Sequence, residues 1–218
     1  MLAAARSLLL LLVFALPAAA QVVLNFDDLT LGDYDDIPAT YGDRLDPNLL
    51  DIGYATRSAS TGELIAANLD FWNRNYGDLT NIAFATENGA VAEITFVPAE
   101  GYGVRLVSFD LAGWPNLDRT SSILRLVDAN QKVVFDFAAN GPVMIEGNLL
   151  GPQHSTFAPN FTFDGTLRLQ WGTDWNIGVD NIVFEAVPLS VIPEPSTWAL
   201  LVVGVALVWL SWRRRRGA

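Results

Sequence analysis

The sequence predicts an all-β protein, an antiparallel β-sandwich ectodomain followed by a single C-terminal transmembrane helix, on three observations. Apolar and polar residues alternate with period two over many short segments. Clusters of Gly, Pro, Asn and Asp separate those segments, and no long helical periodicity competes with them. A charge-free run from Trp198 to Trp212 then closes on Arg213, Arg214, Arg215 and Arg216.

In chain order, the first element predicted is a signal peptide over residues 1–20. Arg6 supplies a positive start, nine apolar residues follow from Leu8 to Leu16, and Ala18-Ala19-Ala20 forms a small-residue cleavage site before Gln21. Nine apolar residues are too few for a comfortable span. Export agrees with the absence of cysteine, which leaves core packing or bound ions as the sources of stability.

The mature body, residues 21–188, is long enough for one domain with a sizeable core. Of the 13 basic residues in the chain, five lie in the signal and tail, and of the 24 acidic residues one does. The body therefore carries 8 basic against 23 acidic residues, a net charge of −15. A surface so acidic excludes nucleic acid as a partner and leaves divalent cations and neutral glycans.

The clearest strands are Ala92-Glu93-Ile94-Thr95-Phe96 and Leu167-Arg168-Leu169-Gln170-Trp171, whose alternate residues are apolar. Further strands are expected at 22–26, 81–85, 104–112, 123–127, 133–137, 156–163 and 179–184, enough for a sandwich. Residues 32–51 and 57–78 read as long loops rich in turn chemistry, with a short helix near 62–69. Residues 186–192 form a brief tether to the tail.

The tail, residues 189–218, carries the predicted helix at 197–212. The fifteen charge-free residues from Trp198 to Trp212 give roughly 22 Å of helix, short against a bilayer core of about 30 Å, but flanking arginines can snorkel. Trp198, Trp209 and Trp212 suit the headgroup level. Arg213, Arg214, Arg215 and Arg216 set the orientation, cytoplasmic by the positive-inside rule, so that the body lies outside. A buried core helix would not end on four arginines.

Ile192-Pro193-Glu194-Pro195-Ser196-Thr197, the apolar run and the arginine cluster, in that order, resemble the PEP-CTERM protein-sorting domain. The resemblance implies an exported protein of a Gram-negative, exopolysaccharide-making bacterium. Such a protein is anchored transiently in the inner membrane, its ectodomain in the periplasm. An exosortase, a membrane-embedded cysteine transpeptidase, then processes the tail, and the product reaches the cell surface or the extracellular space. Pro193, Glu194 and Pro195 would be recognition elements, held extended by the prolines.

Three short strings, Asn25-Phe26-Asp27-Asp28-Leu29, Phe109-Asp110-Leu111-Ala112-Gly113-Trp114 and Gly178-Val179-Asp180-Asn181-Ile182-Val183-Phe184, are similar to jelly-roll domains of the galactose-binding type. That resemblance implies a jelly-roll-like, carbohydrate-binding kind of sandwich, although one fold hosts many functions.

Strand parity places Asp180 on the face of Ile182 and Phe184, and Asp28 on that of Leu24 and Phe26. Unpaired carboxylates there would be costly. One reading is a structural Ca²⁺ held by Asp28 and Asp180 with backbone carbonyls; the other is that both cap turns at the sheet rim. The run Asp27, Asp28, Asp33, Asp35 and Asp36 lacks EF-hand spacing and reads as solvated turns.

Aromatic residues adjoin polar turns at Phe71-Trp72-Asn73-Arg74-Asn75-Tyr76, at Trp114-Pro115-Asn116 and at Trp175-Asn176. Indoles beside amides suit sugar rings; core packing is the other role open to them. Trp114 and Trp175 are the ligand-binding candidates. No catalytic residue is assigned: the single histidine, His154, sits in a loop-like string, and no nucleophile elbow, zinc-binding histidine pair or phosphate loop appears. Three functions therefore stand in order: a non-enzymatic surface or matrix protein linked to exopolysaccharide, a calcium-assisted carbohydrate-binding module, and a secreted glycan-active hydrolase.

Overall fold

The computed structural model describes residues 21–43, 45 and 49–189, with isolated positions between 204 and 216. The signal peptide, the Pro-Glu-Pro motif and much of the expected transmembrane helix lie outside the described residues. Among those described, no helix is long and apolar enough to cross a membrane. Gly204, Val205, Leu207, Trp209, Trp212 and Arg213 are helical and exposed, with the Arg213 guanidinium 5.3 Å from the Trp209 ring.

The body is all-β, in antiparallel sheets. The larger sheet is built on β7 (Tyr102–Gly113) and β15 (Ile177–Pro188), flanked by β5 (Ile82–Phe84) and β4 (Asp70–Trp72) on one side and β12 (Ser155–Phe157) on the other. β1 (Val22–Leu24) pairs with β15, and β13 (Phe161–Phe163) with β7. The second sheet runs β10 (Val133–Asp136), β9 (Ile123–Asp128), β14 (Leu167–Gly172), β6 (Ala90–Pro98), β2 (Leu50–Ser58), β3 (Leu64–Ala66). A small ribbon joins β8 (Arg119–Ser121) to β11 (Val143–Ile145).

Alternation explains how the two large sheets close on one another. Ala92, Ile94 and Phe96 of β6 and Leu167, Leu169 and Trp171 of β14 meet Leu106, Phe109 and Leu111 of β7 and Ile182, Phe184 and Ala186 of β15 in one buried cluster. Phe96 packs on Phe184 at 5.0 Å between ring centroids. The buried indole of Trp171 donates to the Ile177 carbonyl at 3.0 Å, which satisfies its one polar atom and ties the sheets together.

The outward side of the second sheet carries charge. Glu93, 1% exposed, accepts from Arg57 Nε at 2.8 Å, Gln170 Nε2 at 2.6 Å and Gln131 Nε2 at 3.2 Å, with Arg168 Nη1 at 3.4 Å. Arg125 Nε donates in turn to Gln170 Oε1 at 2.8 Å. A carboxylate can be buried there because four donors from β2, β14 and the β9–β10 turn surround it.

Several sequence expectations change. The helix expected near 62–69 is instead strand β3, paired to the edge of β2. Eight residues without caps are too few to hold a helix by themselves, and the adjoining strand offers backbone partners. The single strand expected at 156–163 is two, β12 and β13, both on β7. Pro159 has no N–H to give a ladder, and Asn160 bends the chain at φ 46°. The loops expected at 32–51 and 57–78 take in the two ends of β2, whose Leu50, Ile52 and Tyr54 are buried.

The parity expected for Asp180 also fails. The β15 register against β7 shifts between Asp180 and Val183, where Asn181 has φ 50°. This β-bulge swaps the faces. Ile177 and Val179 point into the core before it, and Ile182 and Phe184 after it. Asp180 pairs with Asp110, which alternates with the core residues Phe109 and Leu111. Both carboxylates therefore stand on the outer side of the larger sheet.

A candidate ligand pocket on the outer face of the larger sheet

That outer face carries a second apolar cluster, separate from the sandwich core. β5 turns Ala83 inward and Ile82 and Phe84 outward, where they join Ala112 of β7 and the loop residues Tyr76 and Leu79; Trp72, Trp114 and Trp175 pack against them. Gly178 of β15 makes this layer fit, since a Cβ there would come within 2.6 Å of the Ile82 side chain.

Three loops from one end of the sheet bring the indoles together. Trp114 N donates to Asn176 O at 2.8 Å, Asn116 N to Asn75 O at 2.8 Å, and Gly77 N to Asn116 Oδ1 at 3.1 Å. Asn75 and Asn116 both adopt positive φ, which their short polar side chains tolerate. Arg119 Nε donates to Trp114 O at 2.7 Å, and Nη1 lies 3.6 Å from Asp174. Asp174 Oδ1 in turn accepts from Asn176 N and Nδ2 at 2.9 and 2.7 Å. A fourth segment adds Tyr34, fixed by its N–H to Phe71 O at 2.9 Å.

The result is a half-open pocket of about 120 Å³ lined by Tyr34, Trp72, Tyr76, Phe84, Trp114, Trp175 and Asn176. Tyr34 stands edge-on to Trp72 at 4.9 Å, Trp72 edge-on to Trp114 at 6.0 Å, and Trp175 tilts against Tyr34 at 6.4 Å. Ligand pockets for whole drug-sized molecules run roughly 300–1,000 Å³, so this one suits a single ring. The Tyr76 hydroxyl, 3.4 Å from Trp175 O, is driven upward in pKa, chiefly by burial, and stays protonated.

Two polar atoms behind the lining surface lack partners. The indole nitrogens of Trp72 and Trp114 are buried and find no acceptor among the described residues. A buried donor left unpaired costs about 1–3 kcal/mol. The arginines nearby are engaged: Arg74 lies 5.5 Å over the Trp72 ring and pairs with Asp33, and Arg119 with Asp174 and the Trp114 carbonyl.

Trp114 and Trp175, singled out in the sequence as ligand candidates, thus line one pocket. Trp72 and Tyr34 join them from strand β4 and from the acidic turn at residues 33–36. The aromatic string around Trp72 signals an aromatic rim in sequence; nothing local signals Tyr34, which is 56% exposed.

The carboxylates read in sequence are arranged otherwise. Asp28 accepts from the Tyr41 hydroxyl at 2.6 Å. Asp180 accepts from Asn181 N at 2.7 Å, and the charges acting on it are Asp27 and Asp110. Burial above all, then those two neighbours, push the Asp180 carboxyl up to about 8, against a partial offset from the Asn181 amide. Asp110 accepts from Thr156 Oγ1 at 2.6 Å and Asn181 Nδ2 at 3.1 Å. His154 sits with Nδ1 2.7 Å from Asp78 and Nε2 4.0 Å from Asp110. Among the described residues no group of three or more His, Cys, Asp or Glu side chains is placed to hold a metal ion.

The body is therefore an all-β domain of two packed antiparallel sheets with an aromatic pocket on the outer face of one. At its C-terminal end the chain carries a PEP-CTERM protein-sorting motif, whose family description matches residues 191–216. That motif marks an exported protein with a C-terminal membrane-anchoring sorting signal and an exosortase as processing partner. No curated protein matches the chain. Among solved structures, the isomalto-dextranase of Arthrobacter globiformis T6 complexed with panose overlaps 78% of this chain and 32% of its own, at 12% identity and a TM-score of 0.32. The chain thus spans about a third of that enzyme, and the overlap is too loose to carry a substrate across.

Proposed function

We propose that this chain is an exported, non-enzymatic protein of the cell surface or extracellular matrix, associated with exopolysaccharide. It is held in the inner membrane with its β body in the periplasm until an exosortase processes the tail. The observation that carries this reading is the sorting motif at residues 191–216. The non-enzymatic part is supported by the pocket, whose aromatic walls and one amide suit holding a ligand better than moving a proton.

Intact-mass analysis of the mature protein from a host with and without its exosortase tests the proposal. Loss of C-terminal residues is expected only where the exosortase is present, and the same uncleaved C-terminus in both hosts overturns it. Turnover of a polysaccharide by the purified protein would replace the non-enzymatic assignment with a glycan-active one.

A second reading, a carbohydrate-binding module, is favoured by one observation: Trp114 and Trp175 share a concave aromatic pocket with Trp72 and Tyr34. Binding to a glycan array that disappears on replacing Trp114 or Trp175 with alanine is the expected result. A module of this kind is compatible with the surface role and supplies its contact with polysaccharide.

A further inference from the structure

We propose that the pocket takes the acetyl group of an N-acetylated amino sugar, its methyl seated among the aromatic rings and its amide N–H donated to the side-chain oxygen of Asn176. The inference rests on the carbohydrate-binding reading of the same pocket and names the substituent that the pocket selects.

The walls decide what can enter. The half-open cavity of about 120 Å³ is lined by aromatic residues and one amide. With the Trp72 and Trp114 nitrogens closed off from solvent, these two indoles present only carbon to the cavity. A sugar ring pushed in whole would carry several hydroxyls with it, and most would lose their water without gaining a partner. A methyl group loses nothing there. It gains contact with rings that stand nearly at right angles, Tyr34 to Trp72 at 81° and Trp72 to Trp114 at 78°. The sugar ring that bears it stays at the open side, against the exposed Tyr34.

The amide decides polarity. Asn176 Nδ2 and the Asn176 backbone N both donate to Asp174 Oδ1, at 2.7 and 2.9 Å. A carboxylate can only accept, so the amide cannot turn over. Its Oδ1, which accepts no hydrogen bond from the described residues, is the atom left to a ligand, and it requires a donor. An acetamide carries an N–H beside its methyl; an acetate ester has the same methyl and no N–H.

Charge separates the acetamide from its free amine. Arg74 already stands 5.5 Å over the Trp72 ring, and Arg119 holds the Trp114 carbonyl. An ammonium would therefore enter beside two guanidinium groups, one of them in the place over Trp72 that a cation would take.

Full-length protein in polyoxyethylene-ether micelles is titrated by calorimetry with cellotriose, with chitotriose as the free amine, with triacetylchitotriose and with an acetyllysine peptide. The three sugars share one linkage and differ only in the substituent at the second carbon. The acetylated sugar is expected to bind about tenfold more tightly than the other two. Saturation-transfer NMR should place its strongest transfer on the acetyl methyl protons. Asn176→Ala, with a thermal melt to verify folding, should weaken the acetylated sugar and leave cellotriose unchanged. Should that variant fail to fold, the comparison among ligands on the native protein still decides. Equal or tighter binding of cellotriose or the amine, strongest transfer to ring protons, or unchanged affinity in folded Asn176→Ala overturns the inference and leaves the carbohydrate reading standing. Tighter binding of the peptide overturns it in favour of a protein partner. Binding of none of the four overturns it as well, and an empty glycan array would then remove the carbohydrate reading too.

Discussion

Asp110 and Asp180 face one another across β7 and β15 on the outer side of the larger sheet, and only Asp180, 4% exposed, is deeply buried. Its pKa of about 8 means that the folded protein keeps a proton which the unfolded chain releases at the ordinary carboxylate value. Between about pH 4 and 8 the native state binds more protons than the unfolded state, so stability falls as pH rises through that window. Asp70, raised to about 6 by burial and by Asp36, acts in the same sense over a narrower range. Melting temperature measured from pH 4 to 8 should therefore decline in the native protein. The accompanying loss of unfolding free energy should be smaller in Asp180→Asn, by an amount on the order of 5 kcal/mol over the whole window. Parallel curves would show that Asp180 titrates normally.

The Glu93 network should dominate the stability of the second sheet. Glu93→Ala leaves Arg57, Arg168 and Gln170 facing a cavity without their acceptor, and removal of one partner of a buried ion pair costs about 3–5 kcal/mol. Denaturant unfolding should show a midpoint shift of that size at unchanged slope. Glu93→Gln, which keeps the shape and one acceptor, should lose less. Equal losses in both would mean that charge alone is at stake.

Gly77 links the stability of the body to the pocket. It has φ 60°, and a Cβ there would stand 1.7 Å from the Gln153 carbonyl oxygen, in a loop whose N–H holds Asn116. Gly77→Ala should cost more than about 2 kcal/mol and weaken ligand binding at the neighbouring Tyr76. Gly62→Ala is the control: its φ is 74° with open space around it, so only the backbone penalty of about 1–2 kcal/mol applies. Comparable losses at both positions would remove the steric argument.

How much of this was legible in sequence depended on what each pattern encodes. β6 and β14 are central strands with one face on the core, and their alternation was plain. β2 has the same alternation at Leu50, Ile52 and Tyr54, but Asp51 and Gly53 fill its outward positions and read as turn chemistry. The bulge at Asn181 could not be seen, because a period-two argument assumes an unbroken pleat. Trp114 and Trp175 stood out beside their asparagines. Their convergence with Trp72 and Tyr34, from residues up to 141 positions apart in the chain, follows only from the strand order β7-β15-β5-β4. The unpaired state of two indole nitrogens is a property of packing, which no local string carries.

The course of β15 has a mechanical consequence. It begins beside the pocket and ends at Pro188, three residues before the sorting motif. Tension between a ligand held at one end and a tail held at the other would thus run along one covalent backbone. The ladder joining β15 to β7 crosses that line of pull from Gly113 to Tyr102. Its hydrogen bonds would be sheared together instead of opening one after another, so the domain could bear a pulling force applied along that strand.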